Sequence, residues 1–155
     1  MKTICGIVLS IISLFGGNMV REEVALNNFE FSVSQINVYD NGCTYTFSNQ
    51  DKEFSVITTS FLEMMEGHHE MPAFGVAIHS EIKSAITKGL WVEFVFDGEK
   101  IYNDMPFSKL LIEVNEEFTG FNIIRFQNGE YSGRCFYIDL VGKSMGGLYK
   151  TIKSL

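Results

Sequence analysis

The stretch Leu90-Trp91-Val92-Glu93-Phe94-Val95-Phe96 is apolar on both alternations except at Glu93. A strand with side chains alternating between two faces reads this way only when both faces are covered, which marks it as a central strand. The segments on either side carry turn signals at short intervals, so the strands around it are joined as hairpins.

Upstream, Phe29 to Tyr39 reads as a strand, Asp40-Asn41-Gly42 as a turn and Cys43 to Ser48 as the returning strand. The apolar phase in the first of these shifts from Phe29, Phe31 and Val33 to Ile36 and Val38, which predicts a bulge near Ser34 and Gln35. Asn49-Gln50-Asp51-Lys52 leads into a predicted strand over Phe54 to Thr58, and Phe61 to Glu66 reads as a short helical turn ended by Gly67. Pro72 suits the first position of a helix and Lys88-Gly89 its end, with Phe74, Ile78, Ile82, Ala85 and Ile86 forming one apolar stripe.

Downstream, Asp97-Gly98 is expected to turn the chain into a strand over Glu99 to Asn103, and Lys109 to Val114 makes the next one. Phe121 to Gln127 and Glu130 to Val141 pair across Asn128-Gly129, the strongest hairpin signal in the chain. Ser144 to Leu155 closes with a helix whose Met145, Leu148, Ile152 and Leu155 share a face. The fold class is therefore α+β: a mostly antiparallel sheet built from hairpins, with one central amphipathic helix and a short C-terminal helix packed on one face.

The 155 residues fit a single domain spanning the chain. Residues 1–17 allow two readings. The apolar run from Ile4 to Phe15 has the length of a signal-peptide core, with secretion after cleavage near Gly16 as one outcome, and it also reads as a buried strand. Leu14 or Phe15 stands where a cleavage site wants a small residue, which favours a cytoplasmic chain that retains the segment. The run is too short for a stable membrane span. Cys5, Cys43 and Cys135 have no CxxC spacing, so they suggest neither a zinc site nor a disulfide framework.

A net charge of −7 argues against direct nucleic-acid binding, which depends on neutralising phosphates, and favours a partner with a basic surface. The carboxylates of Glu113, Glu116 and Glu117 form one candidate contact. Arg125 and Arg134 form another, because the Asn128-Gly129 hairpin sets Ile123 opposite Arg134 and so places both arginines on one face. They could bind a carboxylate or phosphate, and pairing with Glu113, Glu117 or Glu130 is the favoured alternative.

His68, His69, Glu70 and His79 offer zinc or copper ligands. Adjacent histidines in an extended chain diverge, and His79 would lie about 10 Å along a helix starting at Pro72, so a solvated loop is the expectation. Gly142-Lys143-Ser144 lacks the glycine a P-loop needs five residues earlier, where Tyr137 stands, and no serine has the flanking glycines of a hydrolase nucleophile. No cofactor is called for. These residues favour a non-catalytic acidic binding protein of inhibitor or immunity type, acting through protein–protein interaction. The alternatives are a metal-binding protein using the histidines and a small exported domain with an unknown ligand.

Overall fold

A computed structural model describes residues 31–72 and 75–155. The readings placed on residues 1–17, on Phe29 and on Phe74 lie outside that range. The chain runs β1 (Val33–Asp40), β2 (Cys43–Ser48), α1 (Lys52–Met65), β3 (His69–Met71), β4 (Val76–Ala77), α2 (His79–Ala85), β5 (Leu90–Tyr102) and β6 (Met105–Val114). It continues through β7 (Gly120–Gln127), β8 (Glu130–Tyr131), β9 (Gly133–Arg134) and β10 (Phe136–Asp139) to α3 (Gly146–Lys153). This is an α+β fold, as the hairpin spacing predicts.

The main sheet has the order β2-β1-β5-β6-β7-β10-β3, every neighbouring pair antiparallel, with β8 added to β7. The Leu90–Phe96 stretch lies between β1 and β6, the central position its composition demands. Asn41 and Gly42 take positive φ, as do Asn128 and Gly129, so both Asn-Gly pairs make the two-residue turns their chemistry favours. The register shift between Val33 and Gln35 is the bulge expected near Ser34.

The two faces of the sheet divide the core. Val92, Phe94 and Phe96 of β5 point to the larger cluster with Ile36, Val38, Leu110 and Ile112, and this face is covered by Ile57, Phe61, Met64 and Met65 of α1 and Leu148 and Ile152 of α3. Trp91 of β5 points the other way with Leu111, Ile124 and Tyr131, against Ile82 and Ala85 of α2 and Ile86 just after it. The expectation that helices cover one face is thus corrected: α2 lies across the second face.

Three further expectations change. Phe54–Thr58 is not a strand but part of the long helix α1, because Phe54, Ile57, Phe61 and Met64/Met65 recur at helical spacing and bury one side. The predicted Pro72–Lys88 helix contracts to His79–Ala85. Residues Val76 and Ala77 pair instead with Arg134 and Gly133, and Val76 and Ile78 are exposed. Asp97-Gly98 is a wide bulge within β5, whose hairpin with β6 turns at Asn103 and Asp104, both at positive φ. No helix among the described residues is long and apolar enough to cross a membrane.

Candidate functional site

Strand alternation places Gln35, Asn37 and Tyr39 of β1, Glu93 of β5 and Lys109 of β6 on the second face, beside the part that α2 covers. Glu93 is 0% exposed. A carboxylate buried alone would be strongly unfavourable, so its neighbours decide whether the arrangement is possible. Asn37 Nδ2 donates to Glu93 Oε2 over 2.6 Å and the Tyr39 hydroxyl donates to the same oxygen over 3.2 Å. The Tyr131 hydroxyl donates to Oε1, and Lys109 Nζ lies 3.5 Å from that atom.

This shell is itself fixed in place. Gln35 Nε2 and Thr46 Oγ1 both donate to Asn37 Oδ1 over 2.9 Å, which points the Asn37 amide nitrogen at Glu93. Lys109 Nζ sits 4.5 Å from the centre of the Phe126 ring, a cation–π contact that holds the ammonium over the sheet. Burial, and then the charge of Glu93, push the Tyr39 hydroxyl up to about pKa 12 and raise Tyr131 as well, so both phenols remain protonated donors. Three hydrogen bonds and an ammonium at 3.5 Å surround the two oxygens of the carboxylate. The arrangement can hold strands together, and with Glu93 0% exposed it leaves the carboxylate out of reach of an incoming group. Sequence reasoning noted Glu93 only as an interruption; the signal it carried was one charge inside a run covered on both sides.

The acidic candidates lie at one end of the sheet. Glu113 is the one exposed position of β6, and Glu116 and Glu117 lie in the loop to β7. Glu116 pairs with Lys150 over 3.1 Å, and nearby Lys153 is taken by Asp40 at 2.7 Å. Partial burial raises the Glu113 carboxyl, and no cation offsets it. Glu117 is exposed and makes no ion pair among the described residues.

The arginines do not form the expected pair. A break after Ser132 shifts the register so that Phe136, not Arg134, opposes Ile123, and Arg134 joins β9 instead. Gly133, at φ +81°, makes that break. Arg125 is 4% exposed and donates through Nε to Arg134 O over 2.8 Å, and through Nη1 to Pro106 O over 2.8 Å and Gln127 Oε1 over 3.3 Å. It pairs with none of Glu113, Glu117 or Glu130; burial lowers its pKa, and its Nε and Nη1 donate to carbonyl oxygens. A Cβ at position 133 would come within 2.7 Å of Arg125 Nη2, so glycine there makes room for the guanidinium. The Arg134 side chain is exposed.

The metal candidates do not converge either. His68 Nδ1 contacts Met65 O over 2.5 Å, Glu70 accepts from the Tyr102 hydroxyl and Asn103 Nδ2, and His79 Nδ1 accepts the Tyr131 backbone N–H over 3.1 Å. His69 is exposed in β3, opposite Asp139. Among the described residues no three His, Cys, Asp or Glu side chains are grouped to hold a metal ion. Adjacent positions in β3 send His69 and Glu70 to opposite sides, as strand geometry requires.

An apolar cavity of about 80 Å³ lies under α1, lined by residues including Phe61, Met65, Phe94 and Ile112. Cofactor and drug-sized ligands occupy about 300–1,000 Å³ and need polar groups to orient them. No family model matches the chain, and no curated protein or solved structure is significantly similar to it.

Proposed function

We propose that the chain is a non-catalytic binding protein, of inhibitor or immunity type, that meets a basic surface on a protein partner with the acidic end of its sheet. The observation that carries this reading is the state of Glu113 and Glu117. Lys150 and Lys153 are engaged by Glu116 and Asp40, and neither Glu113 nor Glu117 makes an ion pair among the described residues. Glu113 is partly desolvated before any partner arrives, so an arginine or lysine placed beside it would gain an ion pair with little further desolvation.

The Glu93 network supports the same reading from the other side. It is the richest cluster of acid, base and hydroxyl groups among those described above, and its contacts join β1, β5, β6 and β8. Affinity capture from the source cells tests the proposal, using the wild-type chain and a Glu113→Lys, Glu116→Lys, Glu117→Lys variant as baits. The expected result is a protein held by the wild type, released by salt and lost from the variant. Equal capture by both baits would exclude this end of the sheet as the contact.

A further inference from the structure

Among the described residues the sheet ends differently at its two edges. At one side β3 is only three residues long, a common way to keep an edge from pairing with other chains. At the other side β2 pairs all six of its residues with β1 in unbroken register and carries no Lys, no Pro, no bulge and no charged side chain. Among the described residues no strand pairs with its outer side.

The turn at Asn41 and Gly42 determines which backbone groups are left over. In a two-residue hairpin the flanking residues exchange hydrogen bonds and the pairs then alternate, so Cys43, Tyr45 and Phe47 bond to β1 while Thr44, Thr46 and Ser48 direct N–H and C=O outward. Ser48 shows this directly. Its N–H donates to Asp51 Oδ2 over 2.6 Å and its carbonyl accepts from the Asp51 N–H over 3.0 Å. Asp51 therefore closes one end of the edge, and the backbone groups of Thr44 and Thr46 remain.

We infer that β2 pairs with β2 of a second copy of this chain, antiparallel, about a two-fold axis through Tyr45. A contact between identical chains must complement itself, and Thr44-Tyr45-Thr46 reads the same in both directions. With the axis at Tyr45, Thr44 of one chain faces Thr46 of the other. Both pairs bring outward-facing groups together, and the four N–H and four C=O groups of Thr44 and Thr46 form four hydrogen bonds with none left over. The two Tyr45 residues, each 52% exposed, meet as the close, non-hydrogen-bonded pair. The contact also suits the charge of the chain. Two molecules at −7 repel, and repulsion is least where the touching strand carries no charge.

The pairing joins two seven-strand paths into one continuous sheet. It goes beyond the acidic-surface reading and is distinguishable from it by the sign of its salt dependence. Self-association should strengthen as salt screens the net repulsion, whereas binding to a basic partner should weaken. A strand contact of this length buries less than a standard interface, so the dimer should form in the micromolar range or weaker.

Sedimentation of the full chain from micromolar to millimolar concentration tests it. The expected result is a monomer–dimer equilibrium, with Tyr45→Lys raising the dissociation constant at least about tenfold by setting two ammonium groups face to face. Circular dichroism on the same samples confirms that the exposed substitution leaves the fold intact. In a second arm, Tyr45→Cys in a Cys43→Ser background is incubated with oxidised glutathione. The two position-45 residues are about 4.5 Å apart between Cα atoms, within disulfide reach, while the two Cys43 residues of the wild type are about 13 Å apart along the strand and are not. The variant should crosslink into a dimer and the wild type should not. A chain that stays monomeric to millimolar concentration overturns the inference, leaving the edge to an extended segment of another protein. Undiminished dimerisation of Tyr45→Lys, or crosslinking no faster than wild type, also overturns it.

Discussion

Asn37 and Glu93, 56 residues apart in the chain, face each other on adjacent strands with the Asn37 amide nitrogen 2.6 Å from a carboxylate oxygen. The contact is the centre of the polar network on the second face, and it converts the one charge in the central strand into a joint between strands. Removing that charge should be severe. Glu93→Gln is expected to lower stability by about 3–5 kcal/mol, because it leaves Lys109 without its counter-charge and sets a new donor among three others. Lys109→Met should cost about 1 kcal/mol, since the lysine is partly solvated and Glu93 keeps three donors. Urea denaturation measures both, and similar losses for the two variants would mean that Glu93 is not the hub.

Alkaline pH should weaken the fold in a defined window. Tyr39 is raised to about 12 and Tyr131 is raised further, so the native state holds protons that the unfolded chain releases near the ordinary tyrosine value of about 10. Their contribution is fully present below about pH 10 and is lost as pH rises through the folded values. Thermal melts should fall most steeply above pH 10. In the Tyr39→Phe, Tyr131→Phe double variant the slope there should be shallower; an unchanged slope would assign the alkaline loss to other groups.

Arg125 is a structural tether on this account. Arg125→Met should destabilise by about 3 kcal/mol, because Arg134 O, Pro106 O and Gln127 Oε1 lose their donor. Arg134→Ala, at an exposed side chain, should stay within about 0.5 kcal/mol. Denaturation midpoints decide this, and comparable effects at the two arginines would restore them as a functional pair.

The histidines separate in the same way. His68→Ala with His69→Ala should leave the melting temperature within about 2 °C, and chelator should not change it. His79→Ala removes the acceptor for the Tyr131 N–H and should lower the melting temperature by about 4 °C, equivalent to a lost buried hydrogen bond of 1–2 kcal/mol. One zinc or copper per chain by elemental analysis, lost in the double variant, would contradict this account.

The parts of the fold that could be read from the sequence are those set by local chemistry. Asn41-Gly42 and Asn128-Gly129 require positive φ, which those residue types supply, and the covered run Leu90–Phe96 has no partly exposed alternative. Helix α1 is not legible locally because five residues, Phe54 to Thr58, satisfy a strand pattern before the longer helical period emerges through Ile57, Phe61 and Met64. The contraction of α2 was not legible. Val76-Ala77 is drawn into pairing by Gly133-Arg134, more than fifty residues away, and that pairing depends on the break at Gly133. The same break leaves the Arg134 side chain exposed while that of Arg125 is buried against the Arg134 carbonyl. The Glu93 network was hidden for a similar reason: its donors come from β1, β6 and β8, and only the sheet order brings them together.

The central claim, that the exposed carboxylates at the Glu113 end recognise a basic partner surface, is tested most directly by the association rate of the captured partner as a function of ionic strength. Exposed charges act over about 8 Å at physiological salt and further below it, so steering by this surface requires the rate to climb as salt is lowered. The Glu113→Lys, Glu116→Lys, Glu117→Lys variant should associate at least about tenfold more slowly at low salt, with a smaller change in dissociation. An association rate that is flat from low to high salt and equal in wild type and variant would contradict the account.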